Sequence, residues 1–220
     1  MELNPLVFRL SILILRAFSR IYFRATCHGH ENYPVQGPYL IALNHNSLMD
    51  IPVMAMAVPG PMFTMAKESL FKIPILAWWM RSVGFFPVRR GASDQKAFQA
   101  AKEILRQGGI LTMAPEGTRR RLDEGRPKAH TGIVRLAQEL RCPIIPVGVI
   151  GTRRALPPGA KFPRPFKIRV VIGEPIHLEP IAFAPKNQAK LQAQANLIMD
   201  RIYQLSGESY PISKSTERRV

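Results

Sequence analysis

The stretch Asn44-His45-Asn46-Ser47-Leu48-Met49-Asp50 carries the residue types that acid–base chemistry needs. It follows the apolar run Tyr39-Leu40-Ile41-Ala42-Leu43, which the preceding Gly37-Pro38 turn marks as a buried strand. A histidine leaving the strand end, with an aspartate past a tight turn into a helix, can bring imidazole and carboxylate together. A carboxylate that accepts one ring N–H fixes the tautomer, stabilises the imidazolium and leaves the other nitrogen as a base. No GxSxG elbow supplies a nucleophilic serine nearby, so such a base would activate a hydroxyl of the substrate. The competing reading is structural, with Ser47 and Asp50 serving as helix N-terminal residues.

Two further stretches bring basic groups to strand ends. In Ala114-Pro115-Glu116-Gly117-Thr118-Arg119-Arg120-Arg121, glycine frees backbone N–H groups, Thr118 adds a hydroxyl donor and arginine offers a fork matched to phosphate oxygens. The alternative is a solvated basic loop, yet the position after a strand is where α/β proteins bind ligands. Gly84-Phe85-Phe86-Pro87-Val88-Arg89-Arg90 likewise delivers arginine at the end of an apolar stretch.

The elements that must position these groups alternate along the chain. Beyond the first strand, a helix runs from Pro74 through Trp78, Trp79 and Met80 to Gly84, with proline at its start and glycine at its end. Ser93 is placed to N-cap the next helix, whose apolar face is Ala97, Ala100, Ala101, Ile104 and Leu105 before Gly108-Gly109 stops it. Strands follow at 110–113, 143–150 and 167–172, and helices at 131–141 and about 187–205. This pattern predicts a single α/β domain over 26–205, with a largely parallel mixed sheet flanked by helices. A flexible basic tail is expected over 206–220.

Residues 1–25, MELNPLVFRLSILILRAFSRIYFRA, are apolar but punctuated by Arg9, Arg16, Arg20 and Arg24. A spanning helix needs about 20 predominantly apolar residues, so this segment does not read as transmembrane. What fits is a basic amphipathic helix lying in a membrane interface; a helix docked on the protein's own core is the alternative. With 31 Lys+Arg against 15 Asp+Glu the formal net charge is +16, while 46% of residues are hydrophobic. That apolar content excludes a disordered basic tail, so the surplus belongs to a folded surface that meets an anionic partner: nucleic acid, membrane or phosphate-bearing small molecules. No helix-turn-helix, RRM or zinc-finger pattern supports the first.

The remaining features carry less chemistry. Cys27 and Cys142 form no ligand cluster or CxxC and argue for a reduced setting, with Cys142 a buried structural thiol. No pattern of metal ligands appears. His28, His30, His130 and His177 lack a partner nearby in sequence and read as surface or structural histidines. Trp78 and Trp79 suit either a membrane interface or the core. The basic segment from Arg153 to Arg169 suits anionic lipid, a phosphate-bearing partner or plain solvent.

The chain resembles the lysophosphatidic acid acyltransferase family, the bacterial 1-acyl-sn-glycerol-3-phosphate acyltransferases. Asn44-His45 through Asp50 is similar to the family's NHxxxxD block, Gly84 to Arg90 to its second block, Pro115-Glu116-Gly117-Thr118-Arg119 to its PEGTR block, and Pro143-Ile144-Ile145-Pro146-Val147 to its proline-bearing fourth. The four stand in the family's order, which is far more specific than any one of them. The resemblance implies transfer of a fatty acyl group from acyl-CoA or acyl-carrier protein to the sn-2 hydroxyl of 1-acyl-glycerol-3-phosphate, giving phosphatidic acid without a cofactor. It implies His45 as general base and Asp50 as its orienting partner. Arg90, Glu116, Gly117, Thr118 and Arg119 would form the acceptor's phosphate site, and Lys67 would help place the thioester or its oxyanion. The implied partners are an anionic membrane surface, a lysophospholipid and the acyl donor, with no nucleic acid. The implied location is peripheral, on the cytoplasmic face of the cell membrane.

Departures from the family pattern leave the acceptor headgroup open. Ala114 stands where an aromatic residue is common, Arg120 where serine is frequent, and Arg89 where an acidic residue is often found. Lys128 to Gly132 only partly resembles the family's lysine–glycine spacing, and no role follows for it. Another lysophospholipid or polar acceptor is the alternative within the class, beside a catalytically inactive lipid-binding relative and a basic nucleic-acid-binding module.

Overall fold

The computed structural model describes residues 3–89, 94–119 and 127–207. Along it the chain forms α1 (Pro5–Tyr22), β1 (Thr26–His28), β2 (Tyr39–Leu43), α2 (Asp50–Met54), β3 (Met62–Lys67), α3 (Pro74–Ser82) and β4 (Phe85–Val88). There follow α4 (Gln95–Arg106), β5 (Ile110–Met113), α5 (Gly132–Leu140), β6 (Ile144–Ile150), α6 (Thr152–Ala155), β7 (Arg169–Ile172) and α7 (Gln188–Ser206).

The strands make one sheet in the order β1-β7-β6-β2-β5-β3-β4. Five strands, β6, β2, β5, β3 and β4, are parallel; β7 runs antiparallel to β6 and carries β1 parallel to itself at the edge. All five residues of β2 are buried, as a central strand covered on both faces requires. Leu40 and Ala42 pack with α4, α5 and α7 on one side, whereas Tyr39, Ile41 and Leu43 pack with α2 on the other. The expected α/β domain with a largely parallel sheet is therefore observed. Gly148 in β6 lets α7 lie close, because a Cβ there would come within 2.5 Å of the Ser206 nitrogen.

Three strands were not foreseen. In Met62-Phe63-Thr64-Met65-Ala66-Lys67 the methionines and alanine favour helix locally, and only pairing with β5 and β4 makes the segment a strand. Pro87 sits in β4, which is tolerated because β4 is an edge strand paired with β3 alone. The three-residue β1 carries too short a pattern to read. One helix start is corrected: the N-cap of α4 is Asp94, whose side chain accepts from the Ala97 N–H at 3.1 Å. Ser93, the expected cap, lies outside the described residues, as do Arg90, Arg120, Arg121 and the tail from 208.

Helix α1 docks on the domain through the face that carries Phe8, Ser11, Ile12, Leu15 and Ser19, and leaves a second apolar stripe outside. Arg16 donates to the carbonyls of Ala55 (2.9 Å) and Val58 (3.2 Å), satisfying groups just past the end of α2. Trp79 Nε1 donates to Ser11 Oγ at 3.1 Å, tying α3 to α1, while Trp78 is exposed. Leu6, Leu10, Leu13, Ile14 and Ile21 recur at helical spacing and all point outward, with Ile21 80% exposed. Among the described residues no helix is long and apolar enough to cross a membrane.

Candidate active site

Where β2 ends, its ladder is continued by a side chain. The Asn44 amide donates to the Val149 carbonyl (2.9 Å) and accepts from the Val149 N–H (2.8 Å), so it pairs with β6 as a strand residue would. The backbone is thereby released to turn out of the sheet at its carboxyl edge, the position at which open α/β sheets bind ligands. Ser47 Oγ donates to the Leu156 carbonyl at 3.0 Å and pins the outer part of the turn.

Asp50, fully buried in the first turn of α2, closes this loop. Its Oδ2 accepts from the Asn46 N–H (2.7 Å), the Ser47 N–H (2.8 Å) and His45 Nδ1 (3.0 Å). A carboxylate only accepts, so Nδ1 carries the proton and Nε2 keeps its lone pair. Sequence spacing anticipated this contact; the convergence of three donors on one oxygen is a product of the loop's tertiary shape.

His45 lines a cavity of about 300 Å³, at the lower end of the roughly 300–1,000 Å³ usual for ligand sites. Met65, Val88, Phe98 and Met113 make much of its wall apolar, and Arg89 and Asp94 stand at its polar end. The Asp94 carboxylate accepts from the Arg89 N–H (2.8 Å) and from the Ala97 N–H; these bonds hold it below the ordinary carboxylate range.

The Ala114–Arg119 loop forms the facing rim. Gly117 donates its N–H to the Ala114 carbonyl (3.0 Å) and adopts φ 69°, a left-handed conformation that suits glycine. Glu116 turns inward and is 3% exposed; its Oε1 accepts from the His45 N–H at 3.3 Å, joining the two loops. Thr118 and Arg119 are exposed on the outer side of the turn. Lys67, at the end of β3, is exposed at the same edge and does not line the cavity. Arg90 falls outside the described residues.

One further group at the site carries little signal in the sequence. His130 lines the same cavity as His45, and its ring lies against Gly117, where an added Cβ would sit 2.7 Å from Cδ2 and Nε2. Its position is set by the strap before α5, where the His130 N–H donates to the Pro115 carbonyl at 2.8 Å. The partial lysine–glycine likeness around Lys128 was the only signal in the sequence. No cysteine enters the site: burial pushes both Cys27 and Cys142 up to about 11, away from thiolate reactivity.

Comparison with known proteins addresses the family and the fold. The profile of the family described as Acyltransferase matches residues 24–150, which hold His45, Asp50 and the Ala114–Arg119 loop. A Bacillus subtilis (strain 168) protein called 1-acyl-sn-glycerol-3-phosphate acyltransferase is 26% identical over 90% of this chain and 92% of its own length. A chloroplastic 1-acyl-sn-glycerol-3-phosphate acyltransferase of Arabidopsis thaliana is 28% identical over 71% of this chain, which spans 44% of that protein. The crystal structure of the 1-acyl-sn-glycerophosphate (LPA) acyltransferase PlsC from Thermotoga maritima superposes with a TM-score of 0.70 at 25% identity, over 96% of this chain and 86% of that one. With more than half of its length matched by the profile and the fold shared along nearly all of it, the chain belongs to the acyltransferase family.

Proposed function

We propose that the protein moves a fatty acyl group from a thioester donor to the sn-2 hydroxyl of 1-acyl-glycerol-3-phosphate, giving phosphatidic acid. The observation that carries this reading is His45, held by Asp50 with Nε2 unencumbered, at the junction of an apolar wall and a basic rim. Nε2 takes the proton of the acceptor hydroxyl as its oxygen attacks the thioester carbonyl. The tetrahedral intermediate then expels the thiolate, which recovers that proton from the imidazolium. No enzyme-bound acyl group forms, in keeping with the absence of a nucleophilic serine or cysteine among the described cavity residues.

The other groups take supporting roles in this reading. Gly117, Thr118 and Arg119 present backbone, hydroxyl and guanidinium donors to the acceptor's phosphate, and Arg90, outside the described residues, is assigned to the same phosphate from its place in the sequence. Glu116 supports this site from behind, because its buried carboxylate would repel a phosphate and instead holds the His45 loop. Lys67, at the same edge but outside the cavity, is assigned to the donor thioester. The donor is the thioester of coenzyme A or of acyl-carrier protein, and no cofactor takes part. The outward stripe Leu6, Leu10, Leu13, Ile14 and Ile21, flanked by Arg9 and Arg20, lies on the cytoplasmic face of an anionic membrane and gives access to the lipid acceptor.

Purified full-length protein, offered a panel of lysophospholipids with both donor types, should convert 1-acyl-glycerol-3-phosphate to phosphatidic acid in preference to acceptors with other headgroups. Transfer to none of the glycerophosphate acceptors would overturn the reading. Charged residues placed on the stripe (Leu13→Glu with Ile14→Glu) should release the protein from anionic vesicles without lowering its Tm. Undiminished vesicle binding would remove α1 from the membrane contact.

A further inference from the structure

His130 is exposed and is not one of the residues matched to the family's blocks, yet it lines the reaction cavity. Three of the described residues lining that cavity carry a cationic or protonatable nitrogen: His45, Arg89 and His130. His45 is committed to Asp50 at 3.0 Å, and the Arg89 guanidinium stands 3.9 Å from Asp94. His130 is anchored by its backbone to Pro115, with its ring against Gly117 on the rim assigned to the acceptor. In the acceptor only the C2–C3–O linkage separates the reacting hydroxyl from phosphorus. A hydroxyl at His45 therefore places its phosphate beside this rim.

We propose that His130 is a phosphate ligand for the acceptor, donating from its imidazolium across the cavity from the base His45. The inference rests on the acceptor being a phosphate monoester, as proposed above. The charged and titratable groups that share the cavity with the ring are His45 from the loop after β2 and Arg89 and Asp94 from the β4–α4 side; Glu116, bonded to the His45 N–H, and the exposed Arg119 belong to the loop after β5 against which the ring lies. Lys128 lies on its own strap and Arg135 on α5, while α7 reaches that strap through the uncharged Gln192, which donates to the Ala129 carbonyl. Imidazole changes charge between pH 5 and 8, whereas arginine and lysine do not. A histidine ligand thus adds a contact that fades as pH rises, against the tightening that the acceptor's own second phosphate ionisation gives to arginine contacts.

The test uses the full-length chain, 1-acyl-glycerol-3-phosphate in mixed micelles and a fixed thioester donor, from pH 6 to 9. The acceptor's KM in His130→Gln should be about 10-fold above wild type at pH 6, the size of one charge-assisted hydrogen bond, and converge on wild type by pH 9, while the donor's KM stays the same in both. His130→Lys should keep the acceptor's KM low up to pH 9. The residue is exposed, so unchanged Tm values should verify that both variants fold. Unchanged acceptor KM in His130→Gln at every pH would overturn the assignment. So would a fall in kcat with KM unmoved, since it would put the ring in proton transfer. Either result, with wild type active on this acceptor, leaves the proposed function standing. Wild type inactive on every phosphate-bearing acceptor would overturn both.

Discussion

Replacing Asp50 by asparagine removes a charge while keeping the shape of the site. All three donors to Asp50 converge on Oδ2, so an amide oxygen in that place would still accept from Asn46, Ser47 and His45. The tautomer is then retained, and what disappears is the attraction between the carboxylate and the imidazolium that forms during transfer. Nδ1 and Oδ2 are 3.0 Å apart, which puts the charge centres about 4 Å apart; at an effective dielectric constant of about 20 this attraction is about 4 kcal/mol. Lost only in the transition state, it should lower kcat about 1,000-fold, within the roughly 10²–10⁴ ascribed to a positioned base, with little change in either KM. The new NH₂ would occupy the buried Oδ1 site, where no hydrogen-bond partner stands, costing about 1–3 kcal/mol of stability. Initial rates with purified Asp50→Asn, read beside its thermal unfolding, separate the two effects. A folded Asp50→Asn enzyme with kcat within tenfold of wild type would refute the charge argument. Asp50→Ala, which strands three N–H donors, should instead lose about 2–5 kcal/mol of stability as well as activity.

Other perturbations test the surroundings of this pair. Gly117→Ala places a Cβ at φ 69° and 2.7 Å from the His130 ring, so it should cost about 1–2 kcal/mol and raise the acceptor's KM more than the donor's; equal KM values in variant and wild type would mean that the rim does not hold the acceptor. Arg16→Met removes two bonds from a partly exposed guanidinium to carbonyls beyond α2 and should lower stability by about 1–2 kcal/mol, or about 2–8 °C in Tm. An unchanged Tm would mean that these bonds do not secure α1. Because burial raises both thiols to about 11, Cys27 and Cys142 should react slowly with alkylating reagents in the folded protein at pH 8 and quickly once it is unfolded. Rapid loss of activity on alkylation under native conditions would contradict that burial.

What the sequence determined alone was local. The spacing from His45 to Asp50 fits one turn between a strand and a helix, and the apolar run Tyr39–Leu43 needs both faces covered, so the pair and its strand were legible without coordinates. Proline at Pro74 and the glycines at Gly108 and Gly109 bounded helices for the same reason: their backbone limits act within a few residues. The tertiary structure decided whatever depends on groups distant in the chain. Met62–Lys67 became a strand only through its neighbours in the sheet. Arg16 donates to the carbonyls of Ala55 and Val58, some 40 residues away, and α1 carries apolar residues on both faces, so only packing decided which of them stayed outside. His130 had no partner close to it in sequence and so read as a surface histidine. The Pro115 carbonyl and the open Cα face of Gly117 set its ring on the rim of the cavity.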